Sequence, residues 1–123
     1  MHILLVEDNR ATQEALSRIL LETPTNQLAL AESGLRALHL IEASAYDLYL
    51  IDFDLPDLHG SFLGLALSTA MTDGRLKQAP IIALTAQNDL DTRREADRCG
   101  FWAFIAKPCT ADLLRSTIEQ LTC

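Results

Sequence analysis

Five short apolar runs punctuate the chain, and the stretches between them carry helical spacing. His2-Ile3-Leu4-Leu5-Val6, Leu48-Tyr49-Leu50-Ile51 and Ile81-Ile82-Ala83-Leu84 show no alternation of apolar and polar side chains. Runs of that length and kind predict strands covered on both faces, as in a parallel sheet. Leu28-Ala29-Leu30-Ala31 and Trp102-Ala103-Phe104-Ile105 predict two further short strands. After Asn9, a natural helix cap, Ala11, Ala15, Leu16, Ile19 and Leu20 recur at helical intervals until Thr23-Pro24. Ser33-Gly34 opens a second helix carried by Leu35, Leu38 and Ile41. Ser61–Met71 predicts a third that is apolar nearly all round, through Phe62, Leu63, Leu65, Leu67 and Met71. A fourth, from about Asp89 to Arg98, is polar, with Leu90, Ala96 and Cys99 as its anchors and Gly100 as its stop. Thr110 caps a fifth that turns Leu113, Leu114, Ile118 and Leu121 inward. Strands alternating with helices predict an α/β fold, a parallel sheet joined by right-handed crossovers.

Composition narrows the class without naming an activity. At 123 residues, the length suits one domain covering 1–123, with 49% hydrophobic and 22% charged residues, ordinary for a globular protein. No apolar run reaches membrane-spanning length, so no membrane insertion is expected and the reading is cytoplasmic. Cys99, Cys109 and Cys123 lack Cys-x-x-Cys spacing, which argues against a zinc site or a disulfide framework. A formal charge of −7 with two lysines, Lys77 and Lys107, offers no basic face for phosphate backbones, so direct nucleic-acid binding is not expected.

The chemistry gathers where the strands end. The first strand runs into Glu7-Asp8, the third into Asp52, the fourth into Thr85 and the fifth into Lys107-Pro108. In a parallel sheet these ends share one edge, where ligands of open α/β folds bind. Two carboxylates about 4 Å apart repel by roughly 4 kcal/mol at an effective dielectric near 20. Three acids together therefore call for a cation or for shifted pKa values. Oxygen-only ligands favour a hard ion such as Mg²⁺, typically held by one or two carboxylates with phosphate and water. A lysine and a hydroxyl beside such an ion suit phosphoryl transfer, with Asp52 as a carboxylate nucleophile. Gly-x-Ser-x-Gly, P-loop and Gly-x-Gly-x-x-Gly signatures are absent from the sequence. The loop Asp57-Leu58-His59-Gly60 predicts a glycine conformation closed to other residues.

Leu4-Leu5-Val6-Glu7-Asp8-Asn9, Asp52-Phe53-Asp54-Leu55-Pro56, Ala83-Leu84-Thr85-Ala86 and Lys107-Pro108 together resemble the motifs of response-regulator receiver domains of two-component signalling, chemotaxis-regulator-like, across the whole chain. The resemblance implies a doubly wound, flavodoxin-like sheet of order 2-1-3-4-5, an order for which a chemotaxis regulator of this family is a standard example. It implies Asp52 as phosphoacceptor, with Mg²⁺ held by Glu7, Asp8, Asp52 and the backbone carbonyl of Asp54. Thr85 and Phe104 take the switch positions, Lys107 binds the phosphoryl group, and the Lys107-Pro108 bond is expected to be cis. Asp54 and Gln87 occupy positions that tune phosphoryl lifetime in the family. The implied partner is a histidine kinase or a histidine phosphotransfer domain. Two settings fit, a stand-alone receiver or the receiver of a hybrid sensor histidine kinase, and the Val6-to-Asn9 and Ala83-to-Ala86 wording favours the second. A phosphorylation-independent pseudo-receiver is the alternative, which the intact acid set, Thr85 and Lys107 speak against. The chain departs from the family pattern at His59, where an acid is usual, at Phe104, where a tyrosine is usual, and at Trp102-Ala103, where acids are usual. Trp102 and the polar fourth helix are expected to form a partner-facing surface. The apolar third helix is expected to dock on another domain or to build a homodimer.

Overall fold

The computed structural model describes residues 1–122; Cys123 lies outside the described residues. The strands are β1 (His2–Val6), β2 (Gln27–Ala31), β3 (Leu48–Asp52), β4 (Ile81–Thr85) and β5 (Ala103–Ala106). The helices are α1 (Arg10–Leu20), α2 (Gly34–Ala43), α3 (Gly60–Thr72), α4 (Leu90–Arg98) and α5 (Ala111–Thr122). All strand pairs are parallel, in the order β2-β1-β3-β4-β5. The doubly wound sheet with its crossover helices is the fold the strand runs and family motifs predict; α1 closes at Leu20, short of the Thr23-Pro24 stop expected for it, and the other boundaries lie within a residue or so of their expected places.

The missing alternation in the central runs has a direct cause. Side chains of β1, β3 and β4 alternate between two separate cores. Leu4, Val6, Tyr49, Ile51, Ile81 and Ala83 pack with Leu63, Leu67 and Ala96 on the side of α2, α3 and α4. Ile3, Leu5, Leu48, Leu50, Ile82 and Leu84 pack with Leu16, Leu20 and Leu114 on the side of α1 and α5. Both faces are dry, so both sets are apolar. Helix starts are capped as the sequence suggests: Asn9 Oδ1 accepts from the Thr12 amide at 2.9 Å, and Thr110 Oγ1 accepts from the Leu113 amide at 3.1 Å. Among the described residues no helix is long and apolar enough to cross a membrane.

Several expected core positions are instead exposed. Leu35, Leu90 and Leu113 keep 63%, 60% and 47% of their surface. Each lies in the first turn of its helix, beside the loops at the strand ends rather than over the middle of the sheet. Ala11 and Ala15 of α1 are also less enclosed than Leu16 and Leu20. In α3, Leu63, Leu67 and Met71 are buried while Phe62 and Leu65 face outward, so its all-round apolarity leaves one uncovered stripe.

Candidate functional site

The ends of β1, β3, β4 and β5 converge on one acidic pocket. Glu7 continues β1 and is fully buried; Asp52 closes β3 and is 2% exposed; Asp8 faces solvent. One carboxylate oxygen from each of these three lies within 4.8 Å of the others. Lys107, just past β5, reaches back to place Nζ 2.6 Å from Glu7 Oε1 and 3.1 Å from Asp52 Oδ2. Its backbone amide donates to the Thr85 carbonyl at 2.7 Å, so β4 anchors the base of the lysine. The Lys107-Pro108 peptide is cis. Glu7 Oε2 accepts from the Asn9 amide at 3.1 Å, and Asp52 Oδ1 accepts from the Asp54 amide at 2.9 Å.

The charge balance of this pocket shows in its protonation. Burial raises the Glu7 pKa to about 7; the Lys107 hydrogen bond works against that rise and the neighbouring Asp52 adds to it. Burial alone would lower the Lys107 pKa, but its hydrogen bond to Glu7 and the charge of Asp52 raise it instead. Both shifts favour holding protons, the response of a site with more carboxylates than cations. Between pH 4.5 and about 7 folded Glu7 therefore keeps a proton that the unfolded chain has released, and stability falls as pH rises through that window. At 1.36 kcal/mol per pKa unit the loss is about 3 kcal/mol. Asp47, Asp57, Asp73 and Asp89 have depressed pKa values and titrate below the window. Urea unfolding of metal-free protein at several pH values measures the slope, and Glu7→Gln is expected to flatten it.

Thr85 and Asp54 are joined across neighbouring strand ends. Thr85 Oγ1 donates to Asp54 Oδ2 at 3.1 Å and accepts from the Gln87 amide at 3.0 Å. Phe104 is half-buried, with the Arg93 guanidinium 5.1 Å from its ring centroid. Trp102, at 45% exposure, stands on the surface just before β5 rather than packed beneath α4. His59 caps α3 by accepting from the Ser61 amide at 3.1 Å and lies against Phe53, with ring centroids 4.9 Å apart. Gly60 does not take the positive φ expected of it; among the described residues only Gly74 and Gly100 do. Its constraint is proximity, since a Cβ there would come within 2.5 Å of the Asp52 carbonyl oxygen. A side chain at this point would push α3 off the strand that carries Asp52.

Thus Glu7, Asp8, Asp52 and Lys107 meet in one pocket, Thr85 and Asp54 flank it, and Trp102 and Phe104 lie outside it. Three supporting contacts escape sequence reasoning. The Asp54 side chain bonds Thr85, Gln13 Nε2 donates to the Glu7 carbonyl at 2.6 Å, and Asp57 reaches α2. The first was within reach: the register Asp52↔Leu84 sets the residues just past β3 beside those just past β4. The other two depend on loop paths that carry no periodic signal.

The oxygen-only donor set fits a hard divalent cation. Residues 3–119 match the family model described as the response regulator receiver domain. The chemotaxis protein CheY of Pseudomonas aeruginosa is 29% identical over 121 residues, spanning 98% of this chain and 95% of that protein. The regulatory protein LuxO of Vibrio cholerae is 35% identical over 116 residues, spanning 94% of this chain and 24% of LuxO. Among solved structures, the receiver domain of a sensor histidine kinase from Pseudomonas aeruginosa PAO1, with a magnesium ion coordinated in its active site cleft, is 30% identical. It aligns with a TM-score of 0.82 over 98% of this chain and 96% of that one.

Proposed function

This chain belongs to the response regulator receiver domain family of two-component systems, and from that premise we propose that residues 1–123 act as one phosphoacceptor unit, with Asp52 taking a phosphoryl group from a phosphohistidine in a Mg²⁺-dependent reaction. The observation that carries this reading is the part-buried lysine bridging the buried Glu7 and Asp52 at the mouth of a three-carboxylate pocket.

A carboxylate oxygen of Asp52 attacks phosphorus. The new O–P bond forms as the P–N bond to the donor imidazole breaks, and the electron pair returns to the ring nitrogen. Glu7, Asp8, Asp52 and the Asp54 carbonyl hold the cation, with Glu7 also anchoring Lys107. Bound there, Mg²⁺ supplies positive charge that offsets the repulsion between the acids and the incoming phosphoryl oxygens. Lys107 neutralises charge on those oxygens from the side of Asp52 Oδ2. The Thr85 hydroxyl exchanges Asp54 for a phosphoryl oxygen, and that movement frees Phe104 to turn. Phe104 has no hydroxyl, so its coupling to Thr85 is steric. The altered α4-β5-α5 surface, with Trp102 at its margin, is read by the partner. The phosphodonor is a histidine kinase or a histidine phosphotransfer domain in the cytoplasm. Of the two settings, a hybrid histidine kinase is favoured by the Val6-to-Asn9 and Ala83-to-Ala86 wording.

Intact-protein mass after incubation with Mg²⁺ and a small acyl phosphate tests the proposal. One phosphoryl group is expected to be gained with Mg²⁺ and none after chelation. No gain under either condition overturns it in favour of a pseudo-receiver that binds partners without phosphate.

A further inference from the structure

The loop between β3 and α3 is held at a point the chemistry above does not use. Asp57 faces solvent, yet its carboxylate spans the first turn of α2: Oδ1 accepts from the Gly34 amide at 3.0 Å and Oδ2 from the Leu35 amide at 3.1 Å. Those two amides hold its pKa below the ordinary carboxylate range. Ser33 caps the next free donor of that turn, accepting from the Arg36 amide at 3.1 Å, while the Ala37 amide bonds the Ser33 carbonyl at 3.1 Å. Every early amide of α2 is thus satisfied, half of them by a residue 22 and 23 positions away. The approach is close: a Cβ on Gly34 would lie 2.6 Å from Leu58 Cβ and 3.3 Å from Asp57 Oδ1. At its other end the loop is fastened to the phosphoacceptor strand. The Gly60 amide donates to the Phe53 carbonyl at 3.0 Å and the Asp54 amide to Asp52 Oδ1 at 2.9 Å. Asp54, whose carbonyl is assigned to the cation, lies on the segment between these two fastenings.

We propose that Asp57 is a positioning residue: by clamping the β3–α3 loop to the N-terminus of α2, it holds the Asp54 carbonyl in register with Asp52 and Asp8 for the cation. The clamp rests on the phosphoacceptor reading for the identity of the cation. It also makes α2 part of the support of the site, although α2 contributes no ligand. Removal of an outer support of a metal site typically lowers affinity by about ten- to a hundredfold. Asp57 acts through the loop rather than on a ligand directly, so the lower end, about tenfold, is expected.

Calorimetric Mg²⁺ titration of the full chain, with amide hydrogen exchange across residues 54–60, tests this. Asp57→Ala is expected to bind Mg²⁺ about tenfold more weakly and to exchange faster in the loop. Asp57→Asn, which keeps one acceptor oxygen, falls between. Gly34→Ala wedges the same contact open from the α2 side and shifts affinity in the same direction. Ser33→Ala removes a cap of the same helix without touching the loop; it lowers the melting temperature and leaves Mg²⁺ affinity unchanged. Wild-type affinity in Asp57→Ala overturns the clamp alone, as does an equal affinity loss in Ser33→Ala. A wild-type protein that takes up no Mg²⁺ overturns the phosphoacceptor reading, and the clamp with it.

Discussion

With Asp52→Asn, the protein is expected to gain no phosphoryl group from an acyl phosphate in the presence of Mg²⁺, a loss of at least about 10³-fold in rate. The amide oxygen carries no negative charge and is a poor nucleophile, while the geometry around it is preserved. The substituted side chain can still accept from the Asp54 amide, as Asp52 Oδ1 does at 2.9 Å. The fold should therefore survive and the loss should be chemical. Intact-protein mass and peptide mapping read the result. A variant that gains the same increment, on Asp54 or elsewhere, would show that Asp52 is not the acceptor.

Lys107→Met should give the largest stability loss of any single surface-reaching side chain, and the loss should depend on pH. Glu7 is 0% and Asp52 2% exposed, and Lys107 is the cation that contacts both. Removing one partner of a buried ion pair costs about 3–5 kcal/mol, because the remaining charge is left without compensation. Methionine retains most of the apolar stem, so little of the change comes from lost packing. At pH 8, where Glu7 is ionised, the cost should approach about 3 kcal/mol. At pH 5.5 it should be clearly smaller, since Glu7, with its pKa raised to about 7, already holds a proton there. Added Mg²⁺ should recover part of the loss at pH 8 by restoring positive charge. Phosphoryl uptake should fall by roughly 10²–10³-fold, the usual consequence of removing one charge-stabilising group. Urea unfolding at the two pH values reads the first effect; an equal loss at both would mean that the lysine acts through packing alone.

The exposed Trp102 and the outward stripe of Phe62 and Leu65 extend the reading from chemistry to contacts. Trp102 stands where the family usually carries an acid, and the helix beside it, α4, has Ala96 as its buried apolar residue. A helix with so little burial is readily displaced, which suits the α4-β5-α5 rearrangement proposed above.

Much of this was legible from residue order, for identifiable reasons. Leu48–Ile51 and Ile81–Leu84 lack alternation because both faces of their strands are dry, so sequence marks them as central strands and places Asp52 and Thr85 at their ends. Caps are local, so Asn9, Ser33 and Thr110 announce helix starts through contacts only three residues long. What escaped is non-local. Helical periodicity puts Leu35, Leu90 and Leu113 on inward faces, but how far the sheet extends beneath a first turn is set by the packing of the whole layer. Gly60 signals a special backbone need, yet whether that need is a dihedral angle or room beside the Asp52 carbonyl depends on where α3 settles. The sequence by itself thus determined the residue types gathered at one sheet edge, because those follow from patterning and from acids placed at strand ends, while the strand order was what the resemblance of its motifs implied and what the sheet shows. Tertiary structure alone decided that Lys107 bridges Glu7 and Asp52, that Glu7 is buried enough to hold a proton near neutrality, and that Asp57 ties the loop to α2. Each of those depends on distances between segments far apart in the chain, which only the packed layers bring within hydrogen-bond reach.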